Sequence, residues 1–435
     1  IPSNLDLIIE TDDSKPVLIT DSMGLKVWQQ KSTEFGTPKG QIVASIKSHA
    51  SNDLMGYTYS ELYSAYIEEA LRQRLYPALM AGLSYEIQPS KEGISIVVEG
   101  YSDKQIELLK TVLTAFTGMH IDNDQFSLVK QQLIRKKLNA KREYPFRQIM
   151  TYLYADIAGR YAPEQQIPTL EAVTAAAIQS FVKQLLSEVE IEVLVTGNHT
   201  AASAKQISSQ FANFNLQDLS IDKKVVRLAE VDRFREVFVD HNDAVLLRYI
   251  QADTDTLQER ATVSLLANIM SSPFYNQIRT EKQLGYVVAA FSRHINLVPG
   301  ICFIAQSPVA SKEDLQIEFK DFNWQFSGVI NNLTETELDT HKRALLVNLE
   351  VDPENLKELT GRSLTSLSLG YYDFDFRQRL AATIRAINID DIKSAYDRLF
   401  INSPRQLWVQ TAENKASERG VNFHNDANQY YKFSH

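Results

Sequence analysis

Arg279 and Tyr286 are the two residues whose types and spacing first suggest a site. They stand seven positions apart in FYNQIRTEKQLGYVVAA (274–290). A guanidinium offers a rigid fork of N–H donors, and a phenol is a good partner for an oxyanion. Held on one surface, the two could grip a bound anion or a polarised carbonyl oxygen. The elements that must hold them are legible in the same stretch. It reads as a helix end, a short charged crossing (Arg279, Thr280, Glu281, Lys282, Gln283), and a strand through Tyr286, Val287, Val288, Ala289 and Ala290. Gly285 is expected to supply backbone freedom where the chain changes direction. A helix-surface arginine and a sheet tyrosine with no ligand are the plainer account of the same residues.

No other constellation competes. The eight histidines are His49, His120, His199, His241, His294, His341, His424 and His435. None opens an H-E-x-x-H or H-x-x-E-H pattern, which would set two imidazoles on one helical face beside a glutamate. No G-x-S-x-G elbow, phosphate-binding loop or dinucleotide fingerprint is present. Asp373 and Asp375 in YYDFDF read as solvent-facing carboxylates, and Asp122-Asn123-Asp124 as a helix cap. The basic run Arg135, Lys136, Lys137, Lys141, Arg142 reads as the solvated face of a helix.

Composition narrows the class. The chain has 435 residues, 44% hydrophobic and 23% charged, as in a globular protein too long for one core. Its net charge of −9 argues against binding a phosphate backbone, so no nucleic-acid partner is expected. No apolar run of about eighteen residues exists, so no membrane span is expected. The single cysteine, Cys302, can form no internal disulfide. The start at Ile1-Pro2-Ser3 reads as a mature or excised piece.

The elements repeat. Strands are expected at 17–30 around a Met23-Gly24 turn, at 41–47 as a second hairpin arm, at 83–88, 93–99 and 191–196. Helices fall at 60–80, 103–117, 122–141, 144–159, 170–187 and 201–211. The second half has strands at 233–240, 244–251, 284–290, 300–306 and 405–410. Its helices are at 256–270, 311–330, from the Thr334–Glu337 capping box onward, and at 389–400. GLSYEI (82–87) lies over LGYVV (284–288), and GISIVVEGYS (93–102) over GICFIAQSPV (300–309). An offset of about 200 to 215 residues implies two copies of one α+β domain. The expected division is 1–212, a polar linker at 213–232, and 233–435 ending in a polar tail from 411. Each domain should be a mostly antiparallel sheet covered by helices.

SPFYNQIRTEKQLGYVV, with AGLSYEIQPSKEGISIVVEGYSDKQIELL (81–109) and IEVLVTGN (191–198), resembles the C-terminal, non-zinc half of the pitrilysin/insulin-degrading-enzyme (insulinase) family of zinc metallopeptidases. The resemblance covers nearly the whole chain. It implies four related α+β domains closing as two halves around a chamber, with zinc held by an H-x-x-E-H motif in the N-terminal half. This chain would then hold no metal, be inactive alone, wall the chamber, and have the N-terminal half and peptide substrates as partners. A homodimer is a further possibility of the family. The family's arginine and tyrosine, which contact substrate backbone and the tetrahedral intermediate, fall on Arg279 and Tyr286. A bacterial pitrilysin-like protein would be periplasmic, and the cytoplasm is the alternative.

Two departures stand out. Glu281 and Lys282 are exchanged relative to the commoner R-T-K-E-Q-L-G-Y and are expected to face solvent. Glu354 and Asn355 occupy places where some relatives have polyanion-binding lysines, which argues against anion activation by that route. The competing reading is a non-catalytic binding or scaffold subunit, like the family's inactive partners in processing and respiratory complexes.

Overall fold

Val17–Ser22 (β1) and Leu25–Lys31 (β2) form the expected hairpin, with Gly24 at a φ of +69° in the turn. Lys39–Lys47 (β3) does not continue that hairpin. It pairs antiparallel with Glu190–Gly197 (β6) and Gly93–Tyr101 (β5), and β6 separates it from β2. Leu83–Ser90 (β4) closes the edge, giving the order β1-β2-β6-β3-β5-β4. Only β2 and β6 run parallel. The computed structural model describes residues 2–9, 11–221, 225–402, 404–421 and 430. His424, His435, part of the 213–232 stretch and most of the 411–435 tail therefore lie outside the described residues.

The second sheet is built from Asp232–Val237 (β7), Ala244–Gln251 (β8), Val287–Ser292 (β9), Gly300–Ser307 (β10) and Arg405–Thr411 (β11). Its order is β7-β11-β8-β10-β9, again with one parallel pair, β7 with β11. Strand for strand this repeats β2-β6-β3-β5-β4, with β1 as an addition to the first sheet. The chain is thus α+β, two tandem copies of one helix-covered sheet.

The chain divides into two compact units. One comprises residues 1–138, 163–222 and 352–374, and the other 139–162, 223–351 and 375–435. In the first, the helix Leu54–Met80 lays Leu62, Tyr63, Tyr66 and Ile67 on a sheet face carrying Val27, Ile42, Ala44, Ile46, Ile96 and Val193. The opposite face, with Trp28 and Leu194, is covered by Leu364 and Leu367 of the helix Leu356–Ser368. Thr196 and Thr360 share a hydroxyl–hydroxyl bond of 2.6 Å there.

In the second unit, one sheet face carries Leu247, Tyr249, Cys302, Ile304, Leu407 and Val409. It is covered by Ile149, Leu153 and Ile157 of the helix Pro145–Ala158. Each such buried aliphatic side chain contributes roughly 1.5–3 kcal/mol. The other face packs Phe303 and Trp408 against helices Leu257–Tyr275 and Lys312–Asn331 through a cluster of edge-on and tilted rings. Central strands are therefore buried on both faces, which is why they read as near-continuous apolar runs.

Several sequence expectations need correction. The single helix over 170–187 is two, Pro163–Ala172 and Ala175–Leu185, because the Thr174 side chain accepts from the Ala177 N–H and starts a new helix. Lys137 is not solvated: its side chain, 12% exposed, is paired with Glu61 at 2.6 Å. The Asp122 cap is as expected, accepting from the Gln125 N–H at 2.9 Å. Asp375 accepts from Arg379 at 2.8 Å.

Candidate functional site

The helix Leu257–Tyr275 does not end where the charged block begins. It passes into a π-helical turn, Asn276–Glu281, fixed by the Lys282 N–H on the Gln277 carbonyl and the Leu284 N–H on the Ile278 carbonyl, both 3.0 Å. The expected polar crossing is therefore helical for most of its length. Phe274 and Ile278 anchor the turn, both fully buried, with Phe274 edge-on to Phe303, Phe319 and Phe322 at centroid distances of 5.0 to 5.2 Å. Arg279, the next residue, is thereby turned to the surface.

The change of direction falls on Gln283, which adopts a φ of +54°. Gly285, expected to supply that freedom, has a different reason to be glycine. A Cβ there would stand 2.7 Å from the Gln306 carbonyl oxygen and 3.2 Å from Val288 Cγ2. The strand then begins at Val287, so Tyr286 sits on its threshold.

Arg279 and Tyr286 are tied together through the backbone between them. The Arg279 Nη1 donates to the Gly285 carbonyl oxygen at 2.8 Å. The other guanidinium N–H groups have no protein partner among the described residues. Glu281 and Lys282 are both exposed, as expected, and Lys282 is ion-paired with Glu318.

Tyr286 has a more elaborate setting, and sequence reasoning missed its partners. The residue is 48% exposed, yet its hydroxyl donates to Asp243 Oδ2 at 2.7 Å. Gln306, fully buried on β10, donates from Nε2 to the same carboxylate oxygen at 2.8 Å and also to the phenol oxygen. The Asp243 N–H donates to His241 Nδ1 at 3.0 Å. Because β10 pairs with β8 on one side and β9 on the other, Gln306 stands opposite both Val245 and Val287. The network thus gathers the starts of two strands and the end of a third. One signal was available: Gln306 and Ser307 end the otherwise apolar strand GICFIAQS.

The electrostatics follow. The bond to Asp243 is the main reason the Tyr286 phenol is pushed up to about 12, with partial burial and the carboxylate charge adding to it. Burial raises the Asp243 carboxyl, but the bonds from Tyr286 and Gln306 and the nearby His241 outweigh it and hold it below the usual range.

The first unit has no copy of this pair. Gly93 and Gly300 open β5 and β10, and counting from them makes Leu83, not Tyr85, the counterpart of Tyr286. Leu83 is buried. Asn355, at a polyanion-binding place of some relatives, serves as a helix cap, accepting from the Glu358 N–H at 2.9 Å. Among the described residues, no group of three or more His, Cys, Asp or Glu could hold a metal ion, and no helix is long and apolar enough to cross a membrane.

A family profile described as the middle or third domain of peptidase M16 matches residues 1–168. A second, described as the C-terminal lobe domain 4 of a PQQ synthase PqqF-like protein, matches residues 265–364. In both stretches the chain is similar to the insulinase family, peptidase M16. A third-domain match followed by a fourth-domain match is the order of the C-terminal half of that family. The chain is 28% identical over 427 residues to insulin-degrading enzyme of Homo sapiens, covering 94% of this chain and 42% of the relative. Its fold superposes on pitrilysin with a TM-score of 0.87 at 20% identity, over 97% of this chain and 46% of that one. It also superposes on a peptidase M16 inactive domain from Pseudomonas fluorescens, with a TM-score of 0.70 at 13% identity, over 94% of this chain and 100% of that one. The chain thus spans less than half the length of insulin-degrading enzyme and of pitrilysin.

Proposed function

We propose that this chain is the non-catalytic C-terminal half of a zinc metalloendopeptidase that degrades peptides and small unfolded proteins. The zinc site lies in a partner N-terminal half, and this half walls the chamber. Arg279 and Tyr286 contact the substrate backbone and the tetrahedral intermediate from this side. The observation that carries the reading is that both residues are exposed at the two ends of one turn, each held by a bond to the fold: Arg279 through the Gly285 carbonyl, Tyr286 through Asp243. An arginine with unused donors beside a phenol suits an extended peptide, whose carbonyl oxygens need donors.

The test is cleavage of an unstructured peptide by this chain, by the N-terminal half, and by the two combined. Activity is expected only from the combination and is abolished by a chelator. Cleavage by this chain alone that survives a chelator overturns the reading. Within the combined enzyme, Tyr286→Phe is expected to lower kcat by on the order of a hundredfold with a smaller change in KM, as for loss of an oxyanion donor. An unchanged kcat removes Tyr286 from the intermediate.

A second reading, a binding or scaffold subunit, is favoured by the Pseudomonas fluorescens inactive domain, whose whole length this chain matches. Binding of a peptide by the chain, with no gain in cleavage on adding the N-terminal half, would select it.

A further inference from the structure

A phenol has one proton to donate, and in this structure Tyr286 gives it to Asp243. Of the two lone pairs on the phenol oxygen, one is taken by Gln306 Nε2. The side chain assigned above to stabilise an oxyanion is therefore not free to donate. Asp243 is 9% exposed and Gln306 1%, so neither partner is a mobile surface group. Asp243 keeps a second donor, the Gln306 amide on the same oxygen at 2.8 Å, so losing the phenol does not leave a bare buried carboxylate.

We propose that Asp243 and Gln306 are positioning residues that latch Tyr286 while the site is empty, and that the Tyr286–Asp243 bond is exchanged for one to the bound peptide. This rests on the reading of Tyr286 as a substrate contact and adds its regulation. A bound peptide must outcompete a charge-assisted bond, so the latch subtracts from apparent affinity and rate. In return the carboxylate keeps the phenol protonated and ordered. Exchange moves one hydrogen bond, and the proton stays on the Tyr286 oxygen throughout.

Weakening the latch should therefore raise activity, which a merely structural role would not do. Asp243→Asn is nearly isosteric and replaces a charge-assisted bond with a neutral one. In the full two-half enzyme we expect kcat/KM on an unstructured peptide to rise about fivefold, close to 1 kcal/mol at 1.4 kcal/mol per factor of ten. The gain should vanish when Asp243→Asn is combined with Tyr286→Phe. The Tyr286 phenol, read as the ultraviolet ionisation difference between the parent and Tyr286→Phe, should titrate at lower pH in Asp243→Asn.

If Tyr286→Phe alone leaves activity intact, the reading of Tyr286 fails and the latch falls with it. If Tyr286→Phe costs activity but Asp243→Asn lowers kcat/KM, leaves it unchanged, or raises it equally without the phenol, the latch alone is overturned. Should Asp243→Asn fail to fold, Asp243→Ser removes the acceptor carboxylate and carries the same expectation of a rise dependent on Tyr286.

Discussion

The Arg279 guanidinium donates to the Gly285 carbonyl oxygen at 2.8 Å, one residue before Tyr286. The arginine thus does two things, closing its own turn and offering its remaining N–H groups outward. Arg279→Ala loses both, and hydrogen bonds from a charged group are worth about 1.5–3 kcal/mol. The combined enzyme should lose roughly ten- to a hundredfold in kcat/KM, with kcat and KM both worsened. Arg279→Lys keeps the charge without the planar fork and should fall between the two. Equal activity of the alanine and parent enzymes would leave Arg279 with no role in turnover.

Gly285→Ala tests the turn itself. The added methyl would meet the Gln306 carbonyl at 2.7 Å, and both neighbours are held by strand pairing. Overpacking of this kind costs about 1–3 kcal/mol. A lowered urea midpoint of this chain is expected, together with loss of activity in the combined enzyme, since Gly285 adjoins Tyr286. A midpoint within error of the parent would show that the turn yields.

Acid should weaken the first unit through His199. Burial holds its pKa down to about 4 against an ordinary 6.5, and its Nε2 meets Gln105 Oε1 at 2.7 Å. The folded pKa lies below the unfolded one, so this contribution is intact above about pH 6.5 and is lost as pH falls toward 4. At pH 5 the loss is about 2 kcal/mol, from 1.36 kcal/mol per pKa unit. His199→Gln should show a smaller drop in urea midpoint between pH 7 and pH 5 than the parent. An identical drop would place the acid sensitivity elsewhere.

Cys302 gives a readout of the second core. It is fully buried on β10, and burial drives its thiol far above the ordinary range. The folded chain should be inert to a thiol reagent at neutral pH and titrate one equivalent in denaturant. Rapid reaction under native conditions would mean that β10 is open to solvent.

Much of the architecture was legible in the sequence because strand periods, glycine turns and helix caps are local signals. The duplication, the helix before Arg279 and the Thr334 capping box all rest on such signals, and the cap is present with both reciprocal bonds. What was not legible depends on tertiary contacts. Nothing local tells that Gly285 is required by a carbonyl across the sheet while Gln283 bears the positive φ. Asp243 precedes Tyr286 by 43 residues, and only the pairing of β8 and β9 on either side of β10 brings them together. Lys137 reads as surface charge until the Glu61 carboxylate is found beside it.

The make-up of the two units bears on synthesis. The helix Pro145–Ala158 belongs with strands that span residues 232 to 411, and the helix Leu356–Ser368 with strands finished by residue 197. As the polypeptide leaves the ribosome, Ile149, Leu153 and Ile157 emerge long before there is a sheet to cover. Trp28 and Leu194 in turn stay uncovered until Leu364 and Leu367 have been made. Neither unit can be completed until residues beyond 350 have been made. The nascent chain must carry two bare apolar faces through synthesis of roughly two hundred intervening residues or fewer, on the order of tens of seconds, which is the circumstance in which chaperones are needed.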